Sequence, residues 1–254
     1  MKNTIRKAAE HLILQEQARK LAEEKRQVRF QFISVLAHEL KAPLGAIEGY
    51  LHIIRDRTAG DDQAAYDKML DRSMVRLDGM RKLITDLLDL TRIESGQKQR
   101  ELAETDITSV ARDAIATFAP DAAKRNITLD LHADDKLTMS ADRGEIEIIF
   151  NNLISNAIKY NRDDGKVDIT LNADDKTVTL TVADTGIGMS ADDLKRIFDD
   201  FVRIKNAKTR NTLGSGLGLS IVKKLALLYR GTVTAKSEID RGTTFTVTLS
   251  RNTS

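Results

Sequence analysis

Five short segments hold residues whose types and spacing suit chemistry. The first is VLAHELKAPLGAIEGY, residues 35–50, where His38 is followed at once by Glu39 and five residues later by Pro43. A zinc-protease helix needs a second histidine four residues on. That position is Ala42. The other histidines, His11, His52 and His132, make no ligand pair at helical spacing either. The pair also suits nucleophilic catalysis. An imidazole is nucleophilic at one nitrogen when the other carries the proton, and a neighbouring carboxylate fixes that tautomer. Taken alone, the dipeptide fits an inert surface histidine better, and Pro43 fits a simple kink that removes one helical hydrogen bond.

The other four segments lie downstream. In FNNLISNAIKYN, residues 150–161, Asn152, Asn156 and Lys159 recur at i, i+4 and i+7 beside the apolar face of Ile146, Ile149, Phe150, Leu153 and Ala157. Two amides and an ammonium on one stripe suit a hydrated magnesium ion and phosphates, or make a polar helix flank. VADTGIGM puts Asp184 at the end of a strand-like run, before Gly186 and Gly188. A carboxylate there can accept from an adenine amino group while the glycines let backbone approach a ring; a plain turn has the same pattern. LGSGLGLSIVKKL places Gly214, Gly216 and Gly218 before an apolar helix, where free amides bind anions. It lacks the Gly-Lys-Ser/Thr of a Walker loop, and Leu219 stands where a dinucleotide fingerprint needs its third glycine. Between these, VRIKNAKTRNTL carries Arg203, Lys205, Lys208 and Arg210 without periodicity, as a lid over phosphates or a solvated basic loop.

Two kinds of element must position these groups. Leu14, Leu21, Val28 and Val35 recur at seven, with Ala18 and Phe32 at the complementary spacing and Lys25 breaking the second row, which predicts a charged or coiled-coil helix over 1–27. Phe32, Leu36, Leu40, Pro43, Leu44, Ile47, Leu51 and Ile54 then fall within an arc of about 120° at ~100° per residue. His38 points about 180° from its centre, with Lys41 and Ala42 toward the same side and Glu39 at the stripe's edge. After DRTAGDDQ a second helix shows two rows, Tyr66, Ser73, Met80, Leu87 and Leu70, Leu77, Ile84. A lone hairpin cannot enclose both, so residues 28–98 predict a hairpin that completes a four-helix bundle as a homodimer. From about 104 to 254, alternating strands at 127–132, 166–172, 177–183 and 244–250 interleave with helical patterns near 107–118, 142–160, 190–200 and 217–230. That predicts an α+β two-layer sandwich with a mixed or antiparallel sheet. The stretch from Glu94 to Thr105 reads as the linker.

Composition narrows the function. Forty Lys and Arg against 38 Asp and Glu leave a net charge of +2, and aromatics are 4% with no Trp. Neither the basic excess nor the stacking platforms of a nucleic-acid binder are there. With no cysteine, a disulfide framework and a thiolate site are excluded. No run is long and apolar enough to span a membrane, and the expected location is cytoplasmic.

In order along the chain, HELKAP, NNLISNAIKY, DTGIG, FDDFVR, GSGLGLSIVK and RGTTF resemble the phosphoacceptor, asparagine, first glycine, phenylalanine, second glycine and last glycine-threonine boxes of sensor histidine kinases. The resemblance covers about residues 28–250. It implies a dimeric phosphoacceptor hairpin followed by a histidine-kinase-like ATPase domain. The implied activity is ATP- and Mg2+-dependent phosphorylation of His38, then transfer to an aspartate on a response-regulator receiver domain. Carried over by position, Glu39 assists His38, Asn156 with Asn152 holds magnesium, and Lys159 and Tyr160 line the nucleotide site. Asp184 reads adenine, Gly186 and Gly188 shape its pocket, and Thr243 supports it. Phe198, Phe201 and Arg203 order the lid, and Gly214, Gly216 and Gly218 receive the phosphates. It also implies an upstream sensor segment outside this chain, with the full-length protein anchored to a membrane through it.

Two rivals come with the resemblance: a gyrase-like or chaperone-like ATPase, and a non-catalytic scaffold of the same fold. The former places a water-activating glutamate four residues before the magnesium asparagine, where this chain has Asn152. One departure stands out. Many relatives carry Thr or Asn four residues after the histidine, where a side chain orients a water that removes phosphate from the regulator. Ala42 has only a methyl group, so weak phosphatase activity is expected.

Overall fold

The computed structural model describes residues 2–95, 100–204, 209 and 214–251, in two units, Met1–Met80 and Arg81–Ser254. The seven-residue row of Leu14, Leu21 and Val28, with Ala18 and Phe32, lies outside the described side chains, and Gly96 and the lid residues Lys205, Lys208 and Arg210 lie outside the described residues.

Helix α1 (Lys2–Arg55) runs unbroken through Pro43, and α2 (Gln63–Ser95) follows a short polar loop. The loop is fixed from both ends. Asp62 caps α2 by accepting from the Ala65 amide at 3.0 Å, and the Tyr66 hydroxyl donates to the Gly60 carbonyl at 2.9 Å. The expected stripes divide in a definite way. On α1, Ile47 is buried and Leu36, Leu40 and Ile54 are half-buried, whereas Leu44 and Leu51 stay 47% and 51% exposed. On α2, Tyr66 and Ser73 are buried, whereas Leu70 and Leu77 are exposed. Part of the apolar surface therefore remains uncovered in one chain.

The second unit begins with the last turns of α2 and continues through β1 (Ala103–Asp106), α3 (Ile107–Ala123), β2 (Thr128–His132), β3 (Thr138–Ala141) and α4 (Arg143–Lys159). It ends with β4 (Lys166–Ala173), β5 (Thr177–Asp184), the single turn α5 (Ala191–Leu194), α6 (Gly218–Leu228), β6 (Thr232–Glu238) and β7 (Gly242–Ser250). Five strands form a mixed sheet in the order β2-β4-β5-β7-β6, parallel only at β2–β4, and β1 pairs antiparallel with β3. Alternation decides the two faces. Val167, Ile169, Leu171, Val178, Leu180, Val182, Phe245, Val247 and Leu249 are buried in the core with Ile149, Phe150 and Leu153 of α4 and Ile221 and Leu225 of α6. On the opposite face Thr170, Thr181, Thr246 and Thr234 stand in one cross-strand row, suited by β-branching to a half-solvated sheet.

Several elements depart from the expectation. The helix expected over about 190–200 is one turn, because Ile197 turns into the core and Phe201 takes a left-handed φ of 61°. Helix α3 runs past Pro120 to Ala123, since a buried Ala122 outweighs the one lost hydrogen bond. Strands β1, β3 and β6 lie outside the expected set; β1 and β3 are four residues long and β6 buries none of its side chains. Helix α4 is pinned at its start, where Asp142 accepts from the Glu145 amide and the buried Glu145 carboxylate accepts from Arg100 at 2.8 Å and from the Tyr229 hydroxyl at 2.7 Å.

Candidate functional site

His38 lies exposed on α1, with Lys41 and Ala42 exposed beside it and Glu39 half-buried, in the arrangement the helix phase predicts. It belongs to the first unit.

A separate cleft, open to solvent, lies in the second unit. Asn152, Asn156 and Lys159 of α4 and Tyr160 at its C-cap line one wall. Asp184, Gly188 and Thr243 line the sheet end, and Gly214, Gly216 and Gly218 the approach to α6, with Arg203 opposite. Eleven of the residues singled out in the sequence thus meet in one place. Gly186, Phe198 and Phe201 do not line it. Gly186 lies beneath, so close to the Tyr160 carbonyl and the Asn161 backbone that any side chain would collide. Phe198 packs edge-on against Phe245 with centroids 6.3 Å apart, and the Phe201 backbone packs so close to Gly216, at a φ of 73° that favours glycine, that a side chain there would collide.

Asp184 is the last residue of β5, opposite Thr243 of β7. Its Oδ1 accepts from the Gly186 amide at 2.8 Å and the Thr243 amide at 3.2 Å. Among the described residues Oδ2 accepts from none, which leaves it for a ligand donor. Burial pushes the carboxyl up to about 6, against the pull of the two amides. The Thr243 hydroxyl is 2.8 Å from that of Ser237, which also accepts from the Met189 amide, so β6, β7 and the glycine segment are tied together under the site.

The other end of the cleft is cationic. Burial first, then the positive charges of Arg203 and Lys82, hold Lys159 down at about 8, and its ammonium lies 5.0 Å from the centre of the Tyr160 ring. Burial raises the Tyr160 hydroxyl. Leu217, the residue before α6, makes no side-chain cap, so the first amides of that helix are open to an anion. On the α4 wall Asn152 commits its amide nitrogen to the Ile148 carbonyl at 2.8 Å, whereas among the described residues the Asn156 side chain makes no hydrogen bond. A hard oxygen of this kind fits Mg2+, which takes few protein ligands and several from phosphates and water. No cluster of three acidic or histidine side chains able to hold a metal occurs among the described residues.

The family model for the histidine kinase-, DNA gyrase B- and HSP90-like ATPases matches residues 141–253, and that for the His Kinase A phospho-acceptor domain matches residues 28–96. This chain carries a histidine kinase catalytic core. It is 32% identical over 224 residues to the phosphate regulon sensor protein PhoR of Pseudomonas aeruginosa, covering 87% of this chain and 49% of that one. The chain spans about half the length of the curated relatives it matches. Among solved structures, full-length ShkA in complex with AMPPNP shares 28% identity at a TM-score of 0.62, over 87% of this chain and 46% of that one. ThkA in complex with the response regulator TrrA shares the fold at a TM-score of 0.70 and 22% identity, over 91% of this chain and 64% of ThkA.

Within this histidine kinase core, Asn152 separates the two ATPase branches weighed from the sequence. Its amide nitrogen is bound to backbone and it has no basic oxygen for water, so the base of a gyrase-like hydrolase is missing there. Sequence reasoning missed several lining residues: Lys82, Ile187, Met189, Ile197, Val202, Ile204, Thr209, Ser215, Leu219 and Phe245. Ile187 and Met189 were legible as the apolar partners of the DTGIG glycines. Lys82 carried no signal, because only tertiary packing brings α2 to the cleft. Among the described residues no helix is long and apolar enough to cross a membrane.

Proposed function

We propose that the chain is a protein histidine kinase that binds ATP in this cleft, phosphorylates His38, and passes the phosphoryl group to an aspartate of a response-regulator receiver domain. One observation carries the reading: Asp184 Oδ2 stands open at one end of the cleft, and a cationic pocket with free helix amides lies at the other. Adenine and polyphosphate have that pattern of donors and charge. The complex of ShkA with AMPPNP supports the nucleotide, and that of ThkA with TrrA supports the regulator.

In the reaction so proposed, an imidazole nitrogen of His38 attacks the γ-phosphorus, the bond to the bridging oxygen breaks, and ADP leaves. Glu39 holds the proton on the other imidazole nitrogen and takes up the developing positive charge. Lys159, Arg203 and the α6 amides neutralise the phosphates, since phosphoryl transfer needs mainly positioning and charge stabilisation. Asn156, with Asn152, would hold magnesium, which when bound would supply positive charge against the phosphates. Phe198, Phe201 and Arg203 would order the lid.

On this reading residues 1–27 carry the signal, 28–98 form the phosphoacceptor hairpin and 104–254 the ATP-binding domain. The exposed Leu44, Leu51, Leu70 and Leu77 support a homodimeric four-helix bundle. The input comes from a sensor segment, anchored at a membrane, outside these residues; the core works in the cytoplasm. Incubation with labelled ATP and Mg2+ followed by a receiver domain tests the sequence of events: label appears first on the chain and then on the receiver. No label on either overturns the proposal.

A further inference from the structure

Three side chains at the phosphate end of the cleft have no role in the scheme above. Asp86 of α2 has a side chain only 5% exposed, and a carboxylate so buried needs hydrogen-bonding partners. It has two. The Ser215 hydroxyl donates to it at 2.5 Å, and the Lys82 ammonium, one turn earlier on α2, donates at 3.1 Å. Ser215 stands between Gly214 and Gly216, and its oxygen also accepts the Leu217 amide at 3.1 Å, just before α6. Lys82 and Ser215 both line the cleft.

An ordinary i,i+4 ion pair on a helix surface needs none of this. Both its members lie in water and it contributes little. Here the acid is buried, its second bond reaches the glycine segment 129 residues on, and the lysine is left 53% exposed beside the cleft. Lys82 is close enough to Lys159 for its charge to act there, as Arg203 does. Three cations with the one Asp86 carboxylate among them leave this end of the cleft net positive, which favours an added anion.

We propose that Lys82 of α2 is a direct ligand of the nucleotide polyphosphate, and that Asp86 is a positioning residue that holds Lys82 and Ser215 toward it. The inference rests on the reading that the cleft binds ATP, and it extends the site to a helix that carries none of the nucleotide motifs. Because binding is reciprocal, a polyphosphate that gains affinity from Lys82 also strengthens the hold of the last turns of α2 on the cleft.

The test compares adenosine with Mg2+–ADP on the intact chain by calorimetry. Adenosine has every contact of the base and none of the phosphates. Lys82→Ala weakens ADP about tenfold, the cost of one charge-assisted contact, and leaves adenosine within about twofold. Lys82→Arg restores most of the loss. Asp86→Asn weakens ADP a few-fold with the same selectivity. Should that variant fail to melt cooperatively, Ser215→Ala, which removes the same bond from the other side, is read instead. Unchanged ADP affinity in Lys82→Ala, or equal losses for adenosine and ADP, overturns the inference while the ATP reading stands. A wild-type chain that binds neither ligand removes both.

Discussion

Replacing Asp184 by asparagine should make the protein more stable and weaken its hold on ATP. The native carboxyl sits at about 6 against an ordinary 3.8. Its folded form therefore binds a proton more tightly than the unfolded form, and ionisation works against the fold. At ~1.4 kcal/mol per pH unit, the ionised group costs about 3 kcal/mol at pH 7, reduced to about 2 by the solvent that reaches it. Asparagine removes the charge while its oxygen keeps the bonds from the Gly186 and Thr243 amides. A gain of about 2 kcal/mol raises Tm by roughly 4–8 °C for a unit of this size. The effect has a pH signature. It is full above pH 6, shrinks as the wild-type carboxyl takes up its proton, and falls well below 1 kcal/mol (roughly) near pH 4. The amide nitrogen then faces the ligand, donor against donor, where Oδ2 accepted from adenine. ATP affinity should fall about a hundredfold or more. Thermal melts from pH 4 to 8 and ATP calorimetry measure both arms. A lower Tm at pH 7, or ATP affinity within threefold (about 0.7 kcal/mol) of wild type, would refute the account of Asp184.

Three further outcomes follow from the same geometry. Lys159 is held at about 8, below its ordinary 10.5, so its charged form is disfavoured in the folded protein and stability rises as pH climbs from 8 to 10.5. Polyphosphate reverses this, so nucleotide binding at pH 8 takes up about half a proton, read as a buffer-dependent calorimetric enthalpy that Lys159→Gln abolishes. Ala42→Thr supplies the hydroxyl missing beside His38 and should raise regulator dephosphorylation at least several-fold (about 1 kcal/mol of barrier) without loss of autophosphorylation; an unchanged rate in a regulator assay counts against that role. Leu70→Glu with Leu77→Glu puts charges on the uncovered face of α2 and should give a monomer by light scattering, whereas a persistent dimer places the interface elsewhere.

The site was far more legible than the frame around it. Asn156, Lys159, Asp184 and the three glycines before α6 sit in fixed local relation to a helix, a strand end and a helix start, so sequence spacing already orders them. The inner face of the sheet was legible for the same reason, because Val167 to Leu171 and Val178 to Val182 alternate strictly. Strand β6 was missed because, as an edge strand, it buries no side chain on either face. Helix α5 was overestimated because acidic residues and Ile197 fit a helical period that the left-handed Phe201 ends. Which α2 row faces α1 and which stays open could not be told from two equal heptad rows. The Asp86–Ser215 bond spans 129 residues and leaves no local trace.

Labelling with γ-phosphate-labelled ATP and Mg2+ tests the central claim most directly. The account predicts a label on the wild-type chain that is lost in acid and survives alkali, as a phosphorus–nitrogen bond requires, and that is absent from a folded His38→Gln variant. A label that persists in that variant, or one that survives acid, contradicts it.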